Sequence, residues 1–556
     1  EESEKQYPLL LTNVKNTIDE VEVRLIQMED YHLQGHYERA IEIQCKGLSL
    51  LGEIIPSSYP VYEKQIVQEL KATPKLLASR SSEQLYTAPE IKSNSTLTRL
   101  RLLVGMWMSA YLVSKDNIVQ WCSIRMTNIT LESGNSEFAA FAYVQYGYIN
   151  VLRLNQAKSG YQFGDLAIRL ADRYNNIEMR GKVYFNFAIF VNHWTRHIST
   201  STELFRKAYL LSVEGGDWTY AVYGAANIIS NLLIEGKPCK DIENEAKRYL
   251  DFLRGKADIG LESFFMTGGY GPLMNFVGKT EATHSFSCAQ FNETSLLARL
   301  GDLPIVEAWL YSAKLRSLFY FRHIEQALSV VLKSDTVLEG VPAQIKVPEA
   351  YFYSCLIIAA SHDTPEVQNS SKHYVSHFKR YAEQLSFWAK DCPQNFLHKH
   401  HLVEAEWSRV NGNALQSTLE HYNHAIEFAD RDGYPNNAAL ALELKGRFWL
   451  GVGETDAGLQ CLREAHRRYQ GWGVAGKLAQ LDEEFPELIK LQQMQDRHNA
   501  SSVRTSALNS YKLDLETIYK ASNAISSQVS WRDLIDTMLR IVMESTGADR
   551  GLLLVQ

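Results

Sequence analysis

Gln34-Gly35-His36-Tyr37-Glu38-Arg39-Ala40-Ile41, followed by Gly47-Leu48, is the stretch on which the fold reading turns. Gly35 suits a tight turn between two helices, Tyr37 fills the space between them, and Ala40 lets their backbones approach. The same logic recurs along the chain. Ser133-Gly134-Asn135, Tyr174-Asn175-Asn176 and Gly215-Gly216-Asp217 lie about 41 residues apart. Each turn precedes an apolar, aromatic-rich segment: Phe138 to Tyr148, Val183 to Val191, and Trp218 to Leu233. One helix pair cannot bury such faces, whereas stacked neighbours can. The period therefore predicts an all-α fold, a superhelical solenoid of helix pairs.

The opening motif is similar to the second half of a tetratricopeptide repeat, and the later units, with a period longer than the roughly 34 residues of that repeat, are degenerate. A weaker copy reads at Ile324-Glu325-Gln326-Ala327-Leu328, where Arg322 takes the usual Gly slot, and better ones run from Val403 through Asn411-Gly412-Asn413 to Ile426 and from Ala438 through Gly453 to Ala465. Pro, Ser and Asn content predicts loops at Ile55 to Pro60, Ala88 to Thr98, Gly340 to Pro348 and Ser361 to Ser371. These signals divide the helical array into residues 1–86 and 99–490, with Phe485-Pro486-Glu487-Leu488 closing it.

Composition narrows the function classes. The 556 residues are 45% hydrophobic and 22% charged, with a formal net charge of −7. No long Lys/Arg block occurs, so the electrostatic footprint of a nucleic-acid binder is missing. The longest nearly apolar segment, Leu102 to Val113, is far shorter than the roughly 20 residues of a membrane span and reads as a core helix. The acidic opening Glu1-Glu2-Ser3-Glu4-Lys5 has no signal-peptide pattern. Cys45, Cys122, Cys239, Cys288, Cys355, Cys392 and Cys461 are odd in number and scattered, as expected for reduced thiols in a cytoplasmic protein.

The pattern changes near the C-terminus. Leu508, Tyr511, Leu515, Ile518, Ser522, Ile525 and Val529 alternate spacings of three and four, the seam of a two-stranded helical stalk. The polar segment Gln492 to Ser506 feeds it, as continuous helix or as hinge, so residues 491–530 read as linker and signalling helix. Trp531, Leu534, Ile535, Met538, Leu539 and Val542 mark the apolar face of another helix. Gly551-Leu552-Leu553-Leu554-Val555-Gln556 then reads as one buried strand, which would need partners from a longer protein.

Lys512-Leu513-Asp514-Leu515-Glu516-Thr517-Ile518, with Leu534-Ile535, Met538-Leu539 and Gly547-Ala548-Asp549-Arg550-Gly551, resembles the signalling helix and first helix-strand of a GAF sensor domain, making 531–556 an incomplete GAF start. The wording is similar to large multi-domain sensor histidine kinases, in which a protein-kinase-like domain and a P-loop ATPase precede helical repeats, GAF and the kinase. Tyr161-Gln162-Phe163-Gly164, Lys182-Val183-Tyr184-Phe185 with Asn192-His193-Trp194, Arg248-Tyr249-Leu250-Asp251-Phe252 and Asn395-Phe396-Leu397-His398-Lys399 extend the resemblance through the solenoid. It implies a regulatory and scaffold region in phosphorelay signalling, with ATP and the phosphoaccepting histidine belonging to other parts of the parent protein. It also implies protein partners or adjoining domains, and a dimer through the signalling helix.

Candidate chemistry is sparse. Gly278-Lys279-Thr280 lacks the upstream Gly of a phosphate loop, which would fall at Leu273, and no strand precedes it. His193 with His197, His373 with His377, and His398 with His400 and His401 have neither a nearby Cys nor a His-Glu-x-x-His pattern. The stripes Phe138, Phe141, Tyr143, Tyr146 and Tyr184, Phe185, Phe187, Phe190 could line a groove but describe buried helix faces. Trp107, Trp121, Trp194, Trp218 and Trp309 read the same way. No catalytic, cofactor-binding or metal-ligating residue is assigned. The expectation is a non-catalytic coupling region, with a stand-alone interaction platform as the alternative and an enzyme whose site spans distant repeats as a third class.

Overall fold

In the computed structural model, residues 2–253, 259–300, 304–369 and 371–488 are described. Among them 26 α-helices follow one another and no strand occurs, so the all-α reading holds. Among the described residues β-type pairing reduces to two isolated bridges, Glu90 with Asn135 and Cys288 with Phe291. The expected stalk from Leu508 to Val529, its feeding segment, the helix from Trp531 and the final apolar strand lie outside the described residues. Contacts divide the chain into Glu1–Gln480 and Leu481–Gln556; the account below concerns the first unit.

Successive helices pair as the turns predict. Thr17–Leu33 lies against Tyr37–Leu50, Glu137–Leu152 against Ala157–Tyr174, Ile177–Phe190 against Ile198–Gly215, and Pro435–Gly451 against Thr455–Trp472. In the opening motif Gly35 has φ +76°, Ala40 is fully buried, and the Tyr37 ring meets His32 edge-on at 5.2 Å. Arg322 stands in the corresponding turn before Ile324–Leu338 with φ +61°, a backbone state that costs a side-chain-bearing residue about 1 kcal/mol or more.

Small residues set how closely the pairs approach. A Cβ built on Gly147 would stand 2.8 Å from the Gly160 carbonyl oxygen, and one on Gly160 would stand 2.8 Å from that of Gly147. The two helices therefore touch through bare backbone. Gly164, one turn further, faces the Phe187 ring at 2.3 Å from its would-be Cβ.

The expected loops are shorter than their composition suggests. Helices begin at Tyr59, Asn94 and Lys346, and Pro365–Asn369 is a short helix inside the segment expected to be irregular. The reason is the place of the prolines. Pro60, Pro348 and Pro365 occupy first-turn positions, where no intrahelical N–H bond is lost. A second feature without a sequence signal is the π-helical turn Met266–Tyr270 between Ile259–Phe265 and Gly271–Phe276. Its Gly268 lies against the Trp309 ring and its Gly269 against Ile229, so this turn wedges between helices Trp218–Ile234 and Pro304–Tyr320.

The array does not only stack neighbours. It coils so that residues 192–236 meet residues 343–346, 388–396 and 436, and the Trp472 ring lies 5.2 Å from that of Phe276. A simple alanine comparison tests the close-packed part of this description. Gly164→Ala is expected to lower unfolding free energy by about 1–2 kcal/mol in urea denaturation, overpacking against Phe187 exceeding the helix gain of about 1 kcal/mol. Gly471→Ala, with nothing within 4 Å of its would-be Cβ, is expected to be neutral or stabilising.

Candidate functional site

Where distant repeats meet, two asparagines join them. Asn395 stands in the first turn of Pro393–Val410. Its Nδ2 donates to the His193 carbonyl at 2.7 Å and the Arg196 carbonyl at 2.8 Å. Its Oδ1 accepts from the Ile198 N–H at 3.0 Å and from the Tyr434 hydroxyl at 2.7 Å. Both donors and both acceptor positions of the amide are thus used. Ile198 opens the helix Ile198–Gly215, so an otherwise unmatched first-turn N–H is satisfied by a side chain 197 residues away.

Asn436 performs the complementary task at a helix C-terminus. It stands in the first turn of Pro435–Gly451 and donates to the Leu233 and Ile234 carbonyls, at 3.3 and 3.1 Å, which end the helix Trp218–Ile234. Gly236, with φ +69°, leaves room for it, since a Cβ there would come within 2.5 Å of the Asn436 Oδ1. Trp194 completes the joint. Its indole N–H donates to the Ala343 carbonyl at 3.1 Å, and its ring lies 5.2 Å from Trp388 and 5.7 Å from Phe396.

Buried charge runs along the same region. Lys399 and Glu349, both buried, form an ion pair at 2.9 Å, with the ammonium also over the Tyr434 ring at 5.0 Å. Lys477 meets Glu443 at 2.9 Å and donates to the Tyr320 carbonyl at 2.7 Å; the Tyr469 hydroxyl donates to the same carboxylate at 2.8 Å. Burial opposes ionisation of Glu443, yet Lys477 and Arg447 hold its carboxyl down at about 2. Lys346 differs. Its Nζ donates to the Asn227 Oδ1 at 3.0 Å and sits 3.8 Å from the Trp309 ring centre, and no carboxylate among the described residues pairs with it. Burial, with Arg316 nearby, pushes its amine down to about 7.

Beside this joint lies a cleft, about 530 Å³ with the solvent open to it, whose walls come from helices well separated in sequence. Trp107 and Tyr111 stack at 5.2 Å, with Phe190 edge-on to both. Phe185 meets Tyr220 edge-on at 5.2 Å, and Tyr223, Phe264 and Trp309 form an edge-to-face chain at 4.8 and 5.1 Å. Gln344 spans the floor, donating to the Tyr111 hydroxyl and accepting from the Trp309 indole N–H at 3.0 Å. Phe185, Phe190, Trp107 and Trp309 belong to the segments read from sequence as core helices; that they open on one shared cavity required the coiling of the array.

The other sequence candidates take ordinary structural places. Gly278 makes the left-handed turn after Gly271–Phe276, Lys279 pairs with Glu243, and Thr280 donates to the Ala282 carbonyl at 3.0 Å. His193 is buried, its pKa lowered to about 3 by desolvation, and the His197 ring nitrogen accepts from the Ser199 N–H at 3.3 Å at the start of its helix. His373 and His377 lie with ring centres 4.5 Å apart, and Asp335 is 3.7 Å from His377. His398 pairs with Asn437 at 2.8 Å. His401 meets His421, Nδ1 to Nδ1 at 3.1 Å, and His424 at 5.0 Å between ring centres, a cluster across two helices that spacing along one helix did not reveal. Among the described residues no group of three or more His, Cys, Asp or Glu side chains is placed to hold a metal. All seven cysteines are free thiols, and no described helix is long and apolar enough to cross a membrane.

Two expectations follow from the joint. Asn395→Ala removes the side-chain partner of the buried His193 carbonyl and Ile198 N–H and one of two donors to the Arg196 carbonyl, the other being the Cys392 thiol, and is expected to cost about 2–4 kcal/mol in chemical denaturation. Lys346→Met is expected to stabilise by about 2 kcal/mol near pH 6.5, the relieved penalty of about 1.4 kcal/mol per pKa unit exceeding the loss at Asn227. Between about pH 7 and 10 the unfolded lysine holds more proton than the folded one, so native stability climbs and the variant's advantage should fade, as paired urea titrations across that range would read.

No family model matches the chain. Over 156 residues it is 28% identical to hybrid signal transduction histidine kinase G of Dictyostelium discoideum. That stretch is 28% of this chain and 4% of the relative, so the chain spans only a small part of the protein it matches. The similarity is to a signal transduction histidine kinase.

Proposed function

We propose that this chain is a non-catalytic helical-repeat region of a multi-domain sensor histidine kinase, serving as regulator and scaffold in phosphorelay signalling. In this reading the repeats, 1–86 and 99–490, couple an upstream ATPase or protein-kinase-like module, or a bound partner protein, to an output through the signalling helix of 491–530 and a GAF domain begun at 531–556. ATP serves the parent's phosphotransfer, and a dimer forms through the signalling helix. The similarity to a hybrid signal transduction histidine kinase supports the context.

The observation that carries the coupling role is the joint between distant repeats. Coupling needs an element with two arrangements that a bound partner can favour unequally. Neighbouring repeats are held by continuous apolar faces, whereas residues 193–236 and 395–436 are tied through a few buried hydrogen bonds centred on Asn395 and Asn436, beside the ring contacts of Trp194 with Phe396 and of His197 with Tyr434. A small set of directional bonds can be lost together while each helix pair stays folded. The reading expects Asn395→Ala in the parent kinase to change stimulus-dependent autophosphorylation at least threefold with expression matched. Equal autophosphorylation with and without the repeats, under every stimulus tried, would remove it.

A further inference from the structure

We propose that the aromatic cleft is a binding site for a neutral, planar aromatic small molecule of one or two fused rings. Its lining, aromatic walls with a few polar groups, is that of small-molecule pockets. Trp107, Phe190, Tyr220, Phe264 and Trp309 are buried, while His32, Met108 and Thr219 are only half-buried. The buried aromatics therefore form the walls and the half-buried residues the rim.

The walls choose a flat ring. They already meet one another stacked or edge-to-face, and an inserted ring would extend both arrangements with Trp107 and Tyr111 on one side and Tyr223, Phe264 and Trp309 on the other. The lining contains no carboxylate, ammonium or guanidinium. Its one imidazole, His32, is bonded to the Ser109 hydroxyl at 3.2 Å, and burial lowers its pKa to about 4, so it stays neutral at physiological pH. A charged ligand would lose its water and find no counter-charge. A neutral one finds polar atoms in the Gln344 amide and in the Tyr111 hydroxyl, which accepts from that amide and keeps its own proton to donate.

The inference goes beyond the proposed function: binding is read on this chain alone, whereas autophosphorylation reads the parent. Isothermal titration calorimetry of the 556-residue chain with indole tests it, with indole-3-acetate and tryptamine as anionic and cationic comparators on the same ring. Saturable one-to-one binding of indole is expected, at least tenfold tighter than either charged comparator. Thr219→Trp and Met108→Trp, each filling the rim from a different wall, should weaken indole binding at least tenfold with an unchanged thermal midpoint. Absence of saturable binding up to the solubility of indole would overturn the proposal. So would equal affinity for the charged comparators, unchanged binding in both folded variants, or equally tight binding of the capped peptide acetyl-Gly-Trp-Gly-amide. Should neither variant fold, the comparison of the three ligands on the native chain still decides.

Discussion

Every helix leaves unmatched N–H groups at its start and unmatched C=O groups at its end, and inside a coiled array water cannot be relied on to satisfy them. Here two asparagine side chains meet that requirement across about 200 residues of sequence. Asn395 matches the start of one helix, Asn436 the end of the next, and each sits in the first turn of its own helix just after a proline. The backbone therefore both demands the joint and supplies its geometry. The same coiling brings together the partners of the buried lysines and the walls of the aromatic cleft.

The two kinds of contact in the array differ in physical character. Neighbouring helices are held by apolar area and by bare-backbone crossings such as Gly147 with Gly160. The distant joint adds directional polar bonds to the ring contacts of Trp194 with Trp388 and Phe396. A lost hydrogen bond there leaves a buried group unpaired, so its members favour being made or broken together. Lys346 belongs to this second kind. It is held by one amide and one ring face without a carboxylate, an arrangement that costs stability in any one conformation.

The cleft and the joint share Gln344 and its neighbours. Gln344 ties Tyr111 to Trp309, while the preceding Ala343 carbonyl accepts from Trp194 and Lys346 reaches Asn227. A short segment between Ile324–Leu338 and Lys346–Ala360 thus touches both. The nearby π-helical turn, with Gly268 against Trp309, is one more irregularity placed where three helices converge on the same indole.

Periodicity and turn chemistry made the helix pairs legible from sequence. The spacing of Gly134, Asn175 and Gly216 marks where pairs turn, and even Arg322, out of place by residue type, keeps the left-handed turn its position demands. Those are local requirements, set by steric limits on each residue and by apolar faces one helix apart. Loop boundaries were less legible because proline favours a helix's first turn as readily as a loop. The joint and the cleft were not legible at all. An asparagine near a helix start reads as a local cap, and Trp107, Phe190 and Trp309 read as ordinary core. Only the superhelical path brings their side chains to one place, and that path is the sum of many small rotations between repeats, which no single stretch encodes.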